Sequence, residues 1–119
     1  MSDKIIRKIA VIFVTDVVSF SKLMERDEDQ TLQSFRACKS ILDNLLEEHS
    51  GRIFNTAGDS VLAEFPSAVS AVICAAEFQK LVKERNASVE PLAEMHFRVG
   101  LNMGDVIVEG NNLYGDGVN

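Results

Sequence analysis

The 119-residue sequence predicts an α+β fold: an antiparallel sheet with its helices on one face. Three observations lead there. Residues 8–15, KIAVIFVT, form a nearly unbroken apolar run, as expected of a strand buried on both faces. Apolar residues recur at steps of three and four between positions 32 and 46, and again between 69 and 81, the spacing of helices with one buried stripe. The links between strand-like runs are short and contain glycine, which suits antiparallel pairing.

Each element can be justified in turn. In the first strand Ile9, Val11 and Phe13 point one way and Ala10, Ile12 and Val14 the other, so it is central. It ends at Asp16, and residues 17–24 read as a short helical segment. A second helix begins near Asp27, with Gln30 three residues on as a capping pair; Leu32, Phe35, Cys38, Leu42, Leu45 and Leu46 mark its core face. Gly51 stops it after His49 and Ser50. Residues 52–56 and 60–65 are two short strands around Ala57-Gly58-Asp59. Pro66-Ser67 opens a third helix, with Val69, Val72, Ile73, Ala76 and Leu81 toward the core. Residues 86–94 form a polar loop containing Pro91. In 95–103, MHFRVGLNM, Met95, Phe97, Val99, Leu101 and Met103 alternate with His96, Arg98, Gly100 and Asn102, the period of a strand. Gly104-Asp105 turns the chain into a strand at 106–108, and Gly110-Asn111-Asn112 turns it again. The order is β, α, α, β, β, α, β, β. The sheet face away from the helices carries polar groups, Arg98 among them.

The length fits a single domain over residues 1–119, and 46% apolar residues suffice for one core. No run of about 18 apolar residues occurs, so no membrane span is expected, and MSDKIIRKIAVIF shows no secretory signal. Cys38 and Cys74 lie in apolar helical patterns, and buried thiols fit a reducing cytoplasm. A net charge of −6 argues against a nucleic-acid binder, which carries a basic face. It leaves room for a nucleotide that arrives with Mg²⁺. His49 and His96 have no spaced partners, so zinc is not expected.

Two acids form a candidate site. Asp16 ends the central strand, and Asp59 sits in a hairpin whose strands flank it. Carboxylates brought together repel, and a divalent cation relieves that cost; Mg²⁺ takes one or two carboxylates and leaves positions for phosphate oxygens. The residues after Asp16 (Val17, Val18, Ser19, Phe20, Ser21) open a helix whose free N–H groups can hold phosphate. Arg98 can bind a phosphate by two hydrogen bonds. Together these describe a metal–triphosphate site. Taken singly, Asp16 and Asp59 also read as turn or cap residues and Arg98 as a solvated side chain.

The pieces VIFVTDVVSFSKLM, GRIFNTAGDSVLAEF, FRVGLNMGDVIVEG and LYGDGVN, in that order, resemble the class III nucleotidyl cyclase catalytic domain of adenylate and guanylate cyclases, in its bacterial form. The resemblance covers about residues 7–119. It implies a ferredoxin-like antiparallel sheet, two Mg²⁺ or Mn²⁺ ions per site, and a homodimer with each site built from two chains. Asp16 and Asp59 match the metal-binding aspartates, and the Val17 carbonyl an extra ligand. Phe20 and Ser21 match the turn that holds the β- and γ-phosphates, Arg98 an arginine on the triphosphate, and Asn119 the asparagine that positions the ribose.

The sequence departs from that pattern at the base. Where adenylate cyclases carry Lys, it has Asn55; a second recognition position falls on Asn112. Neither matches the Glu and Cys of guanylate cyclases. The transition-state arginine would fall four residues beyond Asn119, and a helix and strand normally follow, so this chain alone is expected to be poorly active. The leading expectation is conversion of ATP, ahead of GTP, to cyclic AMP and pyrophosphate. The alternative is a non-catalytic cyclase-like module for dimerisation or nucleotide sensing. A third, a polymerase-palm type transferase, explains the acids but not LYGDGVN.

Overall fold

A computed structural model describes residues 6–115 and 118. Five strands form one antiparallel sheet: β1 (Ile6–Val17), β2 (Arg52–Ala57), β3 (Ser60–Phe65), β4 (Phe97–Glu109) and β5 (Asn112–Tyr114). Their order is β2-β3-β1-β4-β5, so the doubly apolar strand is central, as the sequence predicts. The helices are α1 (Phe20–Arg26), α2 (Glu28–Glu48) and α3 (Ala68–Ala87), with a single 3₁₀ turn at Pro91–Ala93.

The main core lies between α2, α3 and the sheet. Phe13 and Phe97 from the sheet meet Cys38, Leu42, Cys74 and Phe78 from the helices. On α2 the predicted stripe is the buried one, although Leu32 and Phe35 are only half-buried. Asp27 caps it, its Oδ1 accepting from the Gln30 N–H at 3.0 Å; the Gln30 side chain turns instead to Ser34 Oγ. The left-handed residue at the end of this helix is Ser50, with φ 62°. Gly51 is needed for close approach: a Cβ there would sit 2.7 Å from Leu46 and 2.8 Å from Phe65.

Three expectations are corrected. On α3 the buried residues are Ala71, Cys74, Phe78 and Val82. Val69, Val72, Ile73, Ala76 and Leu81 are exposed, Val69 to 69%. The first half of this helix, residues 68–76, is apolar on nearly every side, so its spacing supports two stripes, and the larger Phe78 takes the core. Second, Gly104-Asp105 is not a turn. β4 runs through it, Gly104 opposite Ala10 and Asp105 opposite Ile9, because the long central strand offers a continuous ladder. The last strand is therefore β5, reached by the Gly110-Asn111 turn with Gly110 at φ 61°. Third, the helix-free face is not polar throughout. Ala10, Ile12, Val106 and Leu113 form a small core there, with Phe54 against it. The sheet curls until Arg52 of β2 reaches the Asn111 carbonyl at 2.9 Å.

Cys38 and Cys74 are fully buried, unpaired thiols. Burial pushes both up, Cys74 to about 11 with Glu77 and Glu48 adding to the effect; nearby Arg85 partly offsets it at Cys38. Since the thiolate is the reacting form, native protein at mildly alkaline pH is expected to resist a thiol-specific disulfide reagent. Both thiols should react once the chain is unfolded. Rapid labelling of the native protein would contradict this burial. Among the described residues no helix is long and apolar enough to cross a membrane.

Candidate active site

The site follows from strand register. Alternation along β1 sends Asp16 to the helix-free face with Ile12 and Val14. Its cross-strand partner on β4 is Arg98. On the other side β3 pairs Thr15 with Val61, and the same register brings the β2–β3 turn beside Val17. Gly58, at φ 58°, makes that turn tight. Asp59 then accepts the Val17 N–H on Oδ2 at 2.8 Å.

Arg98 grips Asp16 with both arms, Nε donating to Oδ1 at 2.8 Å and Nη2 to Oδ2 at 3.1 Å. The Asp16 bond and charge, with a contribution from Asp59, hold the guanidinium above its already high range. Behind it the backbone is fixed: Thr15 Oγ1, buried, donates to the Arg98 carbonyl at 2.7 Å.

Between β1 and α1 the chain reverses at Val18-Ser19. Val18 N–H donates to the His96 carbonyl at 2.8 Å, extending the β1–β4 pairing. Ser19 then takes the left-handed conformation, φ 58° and ψ 37°, which is uncommon outside glycine and often marks a functional turn. No side chain caps α1, so its first N–H groups have no partner of that kind.

An open depression of about 380 Å³ gathers Asp16, Val17, Ser19, Phe20, Ser21, Lys22, Asp59 and Arg98, within the range of small-ligand sites. Of the residues that the sequence assigned to metal and phosphate, Asp16, Val17, Ser19, Phe20, Ser21, Asp59 and Arg98 line it, whereas Val18 does not, its N–H being spent on the His96 carbonyl. Lys22 was missed; a lysine in the first turn after a strand-end acid was the available signal. The depression is not the largest. A cleft of about 720 Å³ lies between the end of α3 and the start of β4, lined by Lys83, Asn86, Glu94 and His96 among others. Its polar anchor, Asn86, is already spent on Met95, bonding both its N–H and carbonyl, and it holds no pair of aspartates.

The proposed base-reading residues lie apart from this depression. Asn55 is exposed on β2, next to a register shift. Asn112 opens β5, its Oδ1 accepting from the Leu113 N–H at 2.9 Å. Asn119 lies outside the described residues. His49 does have partners, contrary to the sequence reading. Its Nε2 is 3.1 Å from Glu77 Oε2, and with Glu48 these make the one three-residue cluster of potential metal ligands among the described residues. Those partners lie on two helices, so no local spacing reveals them.

Residues 1–117 match the family model described as the adenylate and guanylate cyclase catalytic domain. A Rhizobium meliloti protein carrying the name "Putative adenylate cyclase 3" is 44% identical over 118 residues, 98% of this chain; the chain spans 20% of that protein's length. Among solved structures, an adenylate/guanylate cyclase/hydrolase from Silicibacter pomeroyi superposes with a TM-score of 0.88 at 31% identity, over 98% of this chain and 68% of its own. A bacterial light-regulated adenylyl cyclase superposes with a TM-score of 0.86 at 23% identity, over 98% and 39%, a likeness of fold.

Proposed function

The chain belongs to the adenylate and guanylate cyclase catalytic domain family, and on that footing we propose that it converts ATP to cyclic AMP and pyrophosphate in the cytoplasm, as a homodimer. The observation that carries this is the convergence of Asp16, Asp59, Arg98 and the start of α1 on one depression. Asp16, Asp59 and the Val17 carbonyl would hold two Mg²⁺ or Mn²⁺ ions. An all-oxygen donor set suits these hard cations. The chemistry the bound ions supply is charge neutralisation at the phosphates and easier deprotonation of the ribose 3′-oxygen. The N–H groups of Phe20 and Ser21 would hold the β- and γ-phosphates, with Arg98, and Lys22 beside it, adding positive charge. The 3′-oxygen would then attack the α-phosphorus as the bond to pyrophosphate breaks, and Asn119 would orient the ribose. Catalysis is then mainly positioning and preorganised charge.

The test is product analysis after long incubation with ATP or GTP and Mg²⁺ or Mn²⁺. Cyclic AMP and pyrophosphate in equal amounts are expected. A second reading, a module that binds nucleotide without turning it over, is favoured by Asn55 and Asn112, neither of which brings a charge to the base. Tight metal–nucleotide binding with no cyclic product would select it.

Base choice is expected to be weak for the same reason. Asn55→Lys should raise the preference for ATP over GTP by roughly tenfold, the difference between a neutral and a charge-assisted hydrogen bond. A native preference above about 10⁴ would indicate a fully matched hydrogen-bonding pocket and contradict this.

A further inference from the structure

We propose that Arg98 is the resident counter-ion of Asp16, and that loading the metal–nucleotide is an exchange in which the guanidinium leaves the carboxylate for the triphosphate. The inference rests on the cyclase reading for its second half only. Its first half stands on geometry. The fork of Arg98 occupies both oxygens of Asp16. Asp59 has one oxygen engaged with the Val17 N–H, which leaves its other oxygen without a hydrogen-bond partner among the described residues. A free divalent cation therefore meets one available carboxylate oxygen and a carboxylate already neutralised by a fixed positive charge.

The pair is built to let go. The Arg98 side chain is 71% exposed, so its head can move through solvent without disturbing the core. Its backbone stays in place, tied into β1 and to Thr15, so the guanidinium moves on a short tether around the rim of one depression. Lys22 lines the same depression and adds positive charge against a free cation. A cation already carried by a triphosphate meets a different balance. The phosphate oxygens give Arg98 a new bidentate partner, and Asp16 is released to the metal as Arg98 departs. Metal and nucleotide are thus expected to enter together, with free metal held off.

The test measures Mn²⁺ alone by electron paramagnetic resonance of the free ion, and Mn²⁺–ATP by equilibrium dialysis of the nucleotide in excess Mn²⁺, on the native chain and on Arg98→Gln. Arg98→Gln is expected to bind Mn²⁺ alone about two- to fivefold more tightly, the range for removing an exposed ion pair. It should bind Mn²⁺–ATP about tenfold more weakly, having lost a charge-assisted phosphate contact. In the Asp16→Asn background the gain for Mn²⁺ alone should vanish. Unchanged or weaker Mn²⁺ binding by Arg98→Gln, or a gain that persists without the Asp16 charge, overturns the counter-ion assignment; so does an absence of detectable Mn²⁺ on Arg98→Gln. If the native chain fails to bind Mn²⁺–ATP, the cyclase reading and the exchange fall, while tighter Mn²⁺ binding by Arg98→Gln still supports the counter-ion.

Discussion

Asp59→Ala is expected to weaken Mg²⁺–ATP binding by at least about 10²-fold, since even the outer partners of a bound metal typically cost 10–100-fold. Cyclic nucleotide formation should fall with it. The substitution removes two things at once, a candidate metal ligand and the acceptor of the Val17 N–H. Asp59→Asn separates them, because the amide oxygen can keep the Val17 bond while the charge is gone. Asp59→Asn should therefore melt like the native protein yet bind metal–nucleotide nearly as poorly as Asp59→Ala. Asp16→Ala should behave like Asp59→Ala toward nucleotide. If both alanine variants bind Mg²⁺–ATP as the native chain does, the shared site is wrong.

Phe78→Ala should cost about 3–5 kcal/mol of stability, the usual penalty for emptying an aromatic site in a core. The ring is fully buried and packs edge-on against Phe97, centroids 5.0 Å apart. Leu81→Ala, three residues on, should cost less than about 1 kcal/mol, because Leu81 is 38% exposed on the outer side of α3. Urea denaturation of the two variants decides which stripe of α3 faces the sheet. Equal losses, or a larger one at Leu81, would restore the orientation that the spacing alone suggests.

That contrast shows why part of the fold was legible and part was not. β1 could be placed at the centre because both of its faces are apolar, which only a strand covered on both sides tolerates. The stripe on α2 was readable because Gln33, Arg36, Ser40, Asp43 and Asn44 leave it one apolar side. α3 has no such contrast, and only packing against Phe97 breaks the tie. Gly104 was misread because glycine permits a turn without requiring one, and twelve residues of β1 offered it a ladder instead. At the site, Asp16, Asp59 and Arg98 could be named from strand ends and alternation, since register is a local rule carried a long way. Their pairing could not: Arg98 and Asp16 are 82 residues apart, and which anion the arginine holds depends on distance. Ser19's left-handed turn was equally hidden, as serine does not advertise a positive φ.

The most direct measurement is paramagnetic broadening of backbone amide signals by Mn²⁺–ATP. If the depression at the end of β1 is the metal–triphosphate site, the amides of Val17, Phe20, Ser21, Lys22, Asp59 and Arg98 should broaden first. Those of the first turn of α3, which follows the far end of β3 on the helix-covered face, should stay sharp. Broadening centred on Glu48, His49 and Glu77, or on the cleft at Lys83 and His96, with Asp16 and Asp59 unaffected, would contradict the account.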